Sequence, residues 1–354
     1  MEALSLIPAA EAIPAPWWLF ESLGIIALAV HFILINIAVG GSLIAIGSRI
    51  TTRAGGATAS PYVPRGITTA LALGINFGVA PLLFAQVLYG HLLYTSSILM
   101  AFWWIMVIPL LIAAYYGAYI HTGGDGKGTL RTTALILSTS VLLYTAFVFV
   151  NNMTLMLQPP AWKAHFANRA GTILNPGDPT IIPRYLHFLI ASVAVSGLAG
   201  ALKAHRGSAA AGDPSVRKGL RIFAFATIVQ IFAGLWFLAS LPEKAMLLFL
   251  GANTVFTIIL AFGIVLAIVS VVFALRGRVI PASAALVAII FLMVVNRANL
   301  RSAYIGEFFD PAGLELHPQY GVMALFLIAV IGMAYALWRM IGMLPASMER
   351  RNER

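Results

Sequence analysis

The chain has 354 residues, of which 60% are hydrophobic and only 10% charged. A soluble domain carries about 25% charged residues, so this composition excludes a water-soluble globular protein and points to a bilayer. Cysteine is absent, which excludes disulfides, thiolate metal sites and a covalently attached c-type haem, whose attachment needs a C-x-x-C-H run.

Crossing a hydrocarbon core about 30 Å thick takes roughly 20 apolar residues. The sequence predicts nine such runs, near 17–47, 67–93, 97–120, 130–156, 183–204, 219–241, 245–275, 279–299 and 319–343. The fold class expected is an all-α membrane bundle of nine spans in one domain, with no internal repeat. The leading stretch MEALSLIPAAEAIPAPWW has neither a positive n-region nor a continuous apolar h-region, so no cleavable signal is expected. With the N-terminus outside, 16 of the 22 basic residues fall on inner segments; Lys163, Arg169, Arg184, Lys244, Arg297 and Arg301 are the outer six. That split predicts an outside N-terminus and an inside C-terminus. It also accounts for the net charge of +10 without a nucleic-acid partner. The inner loops are short and rich in Gly, Ala and Ser. The outer ones, 157–182 and 300–318, carry Trp162, His165, Asn175, Tyr304, Glu307, Phe308, Phe309 and Asp310, which marks the outer face as the working one.

Polar residues inside the spans come next. His31 lies more than ten residues into span one, near mid-membrane at about 1.5 Å per residue. An axial-ligand role and a hydrogen bond to a neighbouring helix are both open for it. His187 and Met246 each lie about one turn inside the start of spans five and seven, which enter from the same side. Imidazole and thioether at one depth suit the two axial positions of a low-spin haem; core filling is the default for a methionine. His121 and His205 fall at inner helix ends, where a solvated role is expected, and His91, His165 and His317 lie at or near the outer surface. Glu21 and Glu243 sit at outer ends and no Asp or Glu lies deeper, so a proton channel built from carboxylates is not expected.

These residues carry a family resemblance. HFILINIAVGGSLIAI in span one, GINFGVA in span two, LMAFWW in span three, NNMTLMLQPPAW…ILNPGDPTIIPRYLHFLIAS around span five, EKAM before span seven and VVNRANLRSAY in span eight occur in the order, and on the spans, of subunit I of the cytochrome bd quinol oxidases. The resemblance covers most of the chain. It implies a nine-helix haem protein with its haems near the outer face. It implies His187 and Met246 as ligands of a low-spin haem b, His31 as ligand of a second haem, Lys244 where the family has an arginine, and Arg297 at a family arginine. The chain departs from the family at the oxygen site. Ser97 and Ile105 stand where the family has two glutamates, Val294 stands where a glutamate ligates the high-spin haem, and LASLPEKAM leaves no room for the long quinol-binding loop.

Taken together these features predict a membrane subunit with one to three b-type haems in a bacterial inner-membrane respiratory complex. It would relay electrons between the quinone pool and an outer-face redox partner such as a periplasmic c-type cytochrome, beside other membrane subunits. Arg297, Arg301 and Lys244 are candidates for haem propionates, against a plain surface-solvation role for all three. His91 is a candidate for a further axial ligand or quinol-proton acceptor, against a surface role. The alternatives are a terminal quinol oxidase reducing O₂ and a haem-free scaffold or transporter.

Overall fold

The structure is a computed structural model, and it describes residues 3–53, 66–123, 128–207 and 213–352. Its helices are α1 (Trp17–Arg53), α2 (Ile67–Leu99), α3 (Ala101–Thr122), α4 (Gly128–Leu157), α5 (Ile181–Gly207), α6 (Pro214–Ala239), α7 (Glu243–Leu247), α8 (Thr254–Leu275), α9 (Val279–Ile305) and α10 (Tyr320–Asn352). Among the described residues eight of these, α1–α6, α8 and α9, are long and apolar enough to cross a membrane. In hydrocarbon each backbone N–H and C=O must be satisfied within its own segment, which is why such sequences fold as uninterrupted helices. The chain is therefore an all-α, multi-pass membrane bundle. The ninth predicted run lies in α10, whose apolar stretch among the described residues is the shorter Tyr320–Ala336.

Span seven departs from the expected continuous run over 245–275. Its first part is the five-residue α7, followed by one π-helical turn at Leu248–Ala252, and α8 starts only at Thr254. Gly251 takes φ +127°, a conformation open to glycine at no steric cost. Asn253 then caps α8 by accepting from the backbone N–H groups of Val255 and Phe256.

Helices α1–α4 pack into one four-helix bundle, and α5, α6, α8 and α9 into a second. α1 joins the two through its contacts with α5 and α9. Glycines let backbones meet where there is little apolar gain over lipid. A Cβ at Gly40 would lie 1.8 Å from the Ser192 carbonyl oxygen, and one at Gly219 would lie 2.6 Å from that of Gly197. At the end where α1 begins, the chain before α1 pairs with the chain before α10. Ile13 N–H donates to the Glu315 carbonyl (2.8 Å), and His317 N–H donates to that of Ile13 (2.9 Å). Beneath this, Trp162 is buried and its indole N–H donates to the Leu155 carbonyl (2.8 Å). From Tyr320 to Ala336 every side chain of α10 except Met323 is exposed.

Gly40→Ala is expected to destabilise the fold by about 3 kcal/mol or more, because backbone cannot yield as a flexible side chain can. Gly47→Ala, with open space around it, is the control. Thermal unfolding in detergent measures both.

Candidate functional site

Each span histidine rests on a glycine of the neighbouring helix. His31 lies against Gly78 of α2, where a Cβ would come within 2.7 Å of the ring. Its Nδ1 is 2.7 Å from the Gly74 carbonyl oxygen. A carbonyl only accepts, so Nδ1 carries the proton and Nε2 keeps its lone pair. His187 lies against Gly234 of α6 (3.0 Å from a Cβ there), and its ring approaches the backbone of Gln230, one turn earlier on the same helix. Phe32 and Phe188 bridge the two histidine neighbourhoods, with centroids 5.8 Å from His31 to Phe32 and 6.4 Å from Phe32 to Phe188.

Beside them, at the end where α1 begins, the structure gathers charge. Arg297, Arg301 and Tyr304 recur at i, i+4 and i+7 on α9 and so share one face. Arg184 stands three residues before His187 on α5, its guanidinium 5.0 Å from the Phe237 ring centroid. Arg297 faces Arg301, Arg184 and Glu21, while Arg184 faces Tyr304 and Asp178. Arg301 is ion-paired with Glu21, and these side chains are only 12% and 18% exposed. Tyr89 donates its hydroxyl to the same carboxylate (3.2 Å), and its ring centroid lies 4.2 Å from the Arg301 guanidinium carbon. To reach that position α2 leaves helical geometry at Tyr89 (φ −128°, ψ 25°).

Donors outnumber acceptors in this cluster. Three guanidinium groups face two carboxylates, Glu21 and Asp178. Arg184 Nε, Arg301 Nε and the Tyr304 hydroxyl are buried without partners, and among the described residues Arg297 makes no hydrogen bond or ion pair. Arg184, His187 and Arg297 are partly buried within the bundle. Unmatched buried charge is strongly unfavourable, and unsatisfied buried donors in a native fold call for a ligand or ordered water.

A hydrogen-bonded chain in the 158–180 loop holds Arg184 in place. Asn151 Oδ1 accepts from Asn175 N–H (2.8 Å), Asn175 Nδ2 donates to Gln158 Oε1 (3.2 Å), and Gln158 Nε2 donates to Asp178 Oδ2 (2.9 Å). Asp178 Oδ1 accepts from Thr180 N–H (2.8 Å), and Thr180 Oγ1 accepts from Arg184 Nη2 (3.3 Å). Ser97 joins Asn152, whose Nδ2 donates to its hydroxyl (3.2 Å).

Of the residues predicted for the site, the structure brings together His31, His187, Arg297 and Arg301. The surface-solvation alternative does not hold for Arg297 and Arg301, which are drawn inward. Met246, on α7, packs with Leu241, Phe249 and Leu300 near Phe237, the ring against which Arg184 lies. His91, on α2, is half-buried with its ring 4.5 Å edge-on to Phe309. Lys244 lies on the surface, 88% exposed and 2.9 Å from Glu307. His205 is exposed as expected, but His121 is not the solvated group expected: it is 4% exposed and its Nδ1 lies 3.2 Å from the Arg131 carbonyl. Arg184, Glu21, Tyr89, Tyr304 and Asp178 are the cluster members that sequence reasoning left out. The i, i+3 spacing of Arg184 and His187 is the one local signal that could have found any of them.

Compared with protein-family models, with curated proteins and with solved structures, the chain finds no match.

Removing one partner of an enclosed ion pair costs about 3–5 kcal/mol. Arg301→Gln or Glu21→Gln alone should therefore lower stability clearly, and the double variant by less than the sum; additive losses in chemical denaturation would refute the pairing. Hydrogen bonding to Glu307 holds the Lys244 ammonium above its ordinary value, and the same contact holds the Glu307 carboxyl below its own. The contact is thus complete above the ordinary glutamate range and lost as pH falls through the lowered Glu307 value. Both groups are fully exposed, so Lys244→Gln should leave the melting temperature unchanged at neutral pH.

Proposed function

We propose that the chain is a haem b-binding membrane subunit of a respiratory electron-transfer complex in a bacterial cytoplasmic membrane. It would pass electrons between the quinone pool and a redox partner on the outer face, such as a c-type cytochrome, alongside other membrane subunits. The observation that carries this reading is the pairing of free imidazole nitrogen with an enclosed excess of donors. A porphyrin with two propionates asks for both, and the residues fit it: neutral imidazoles backed by glycine, and three guanidinium groups with too few acceptors.

His187 and Met246 hold the low-spin site that the family resemblance implies, and His31 holds the second. Hydrogen bonding of Nδ1 to the Gly74 carbonyl fixes the His31 tautomer and aims Nε2 away from that bond. Arg184, Arg297 and Arg301 bind propionates, with the Tyr304 hydroxyl as a further donor. Haem b supplies a one-electron site. The positive-inside count puts the cluster on the outer side. Lys244 and Glu307 lie at the rim, where a partner would first meet the chain, and His91, whose ring meets Phe309, would accept a proton from quinol. Glu21 is the one carboxylate in the eight spanning helices, and it is engaged by Arg301 and Tyr89. The scarcity of carboxylates favours electron relay over oxygen reduction, which consumes protons at the site.

Purified protein should show a Soret band and b-type α-band. His187→Ala and His31→Ala should each lower the haem-to-protein ratio by about one. Met246→Leu, similar in volume, should keep the bundle and make a low-spin haem five-coordinate or lower its potential. A colourless, folded protein leaves the scaffold reading. A haem d band with cyanide-sensitive O₂ uptake leaves the oxidase.

A further inference from the structure

The opposite end of the first bundle carries a second concentration of positive charge. There α1 and α3 finish while α2 and α4 begin. Arg49 from the last turns of α1, His121 from the last turn of α3 and Arg131 from the first turn of α4 converge. Arg131 Nε donates to the His121 carbonyl (2.9 Å) and His121 Nδ1 donates to the Arg131 carbonyl (3.2 Å). This reciprocal pair locks the two helix ends together. Arg49 Nη1 donates to Thr132 Oγ1, whose hydroxyl in turn donates to the Gly128 carbonyl (2.7 Å). Both guanidinium groups act electrostatically on the His121 ring. Neither is paired with a carboxylate among the described residues.

A guanidinium has five N–H donors, and among the described residues each of these two arginines spends one on the protein. Both are partly buried between helix ends, so bulk water does not fully solvate them. Two helix starts add to the positive potential: α2 follows Gly66 with no side-chain cap, and the first turn of α4 has no acidic residue. The chemistry that satisfies such a set is a phosphate, whose oxygens accept from two planar guanidinium forks at once. At this depth, where the spans end, the phosphates at hand are those of lipid headgroups. Basic pockets between spanning helices on the cytoplasmic side are suited to anionic ones.

We infer that Arg49 and Arg131 bind the phosphate of an anionic phospholipid at this end of the first bundle, with His121 positioning Arg131. The site would staple α1 to α4 through the lipid and stands independently of any haem.

Titrating the purified, delipidated protein with phosphatidylglycerol in mixed micelles should raise its melting temperature in a saturable manner, and phosphatidylcholine should not. At about 1 kcal/mol for each arginine, Arg49→Gln with Arg131→Gln should weaken the apparent affinity about 30-fold. Arg276→Gln, which removes an exposed charge at the same end, should leave it unchanged. An equal stabilisation by phosphatidylcholine, or an unaltered affinity in the double variant, would overturn the site. Inorganic phosphate at matching concentration is the third arm: if it stabilises as well as the lipid, the ligand is soluble phosphate and the lipid assignment is wrong. Should the double variant not fold, lipid extracted from the native protein decides. Enrichment in anionic phospholipid over the surrounding membrane supports the site, and an unenriched extract refutes it.

Discussion

A positive charge enclosed in a membrane protein has to be answered by something. That constraint organises the end of the molecule where α1 begins. Arg301 is answered by Glu21 and stacked on Tyr89, and Arg184 is approached by Asp178, but among the described residues Arg297 has no such partner. Around these charges the protein accepts local departures from regular structure. α2 leaves helical geometry at Tyr89 so that the phenol reaches Glu21, and the 158–180 loop spends its amide side chains on a relay that ends at Arg184. These departures gather here because this is where charge must be held in place.

The two histidines belong to the same logic from the uncharged side. A neutral imidazole can be enclosed at modest cost if one nitrogen is satisfied, and His31 meets that condition through the Gly74 carbonyl. His187 is approached in the same way by the backbone of Gln230 on α6. Glycine is the residue that admits both rings, on α2 for one and on α6 for the other.

Much of the bundle was legible in the sequence because length and apolarity are local properties. α1–α6, α8 and α9 lie where the apolar runs do. The break after α7 was missed because L-F-L-G-A-N is as apolar as its surroundings; only the glycine and the following asparagine mark it, and both also occur inside intact spans. Site membership was legible in part. His31, His187, Arg297 and Arg301 stand out as costly residues in or beside spans. Arg184 was counted as a loop-side cation, and Glu21 as a terminal acid, since partners 280 residues apart, as Glu21 and Arg301 are, leave no local pattern. His121 was misjudged for a related reason: a helix end reads as solvated unless the neighbouring helix is known to cover it.

The interruption between α7 and α8 has a mechanical consequence. Met246 stands on five residues bounded by Pro242 on one side and the π turn on the other, and it packs against the buried cluster of Leu241, Phe249 and Leu300. Its thioether therefore takes its position from the turn after α6, from Phe249 of the π turn and from Leu300 of α9. α8 carries much of its apolar surface toward lipid and starts only beyond the glycine joint. The methionine thus belongs to a short segment whose backbone hydrogen-bonding register is separate from that of α8, as a fitting is separate from the panel beside it.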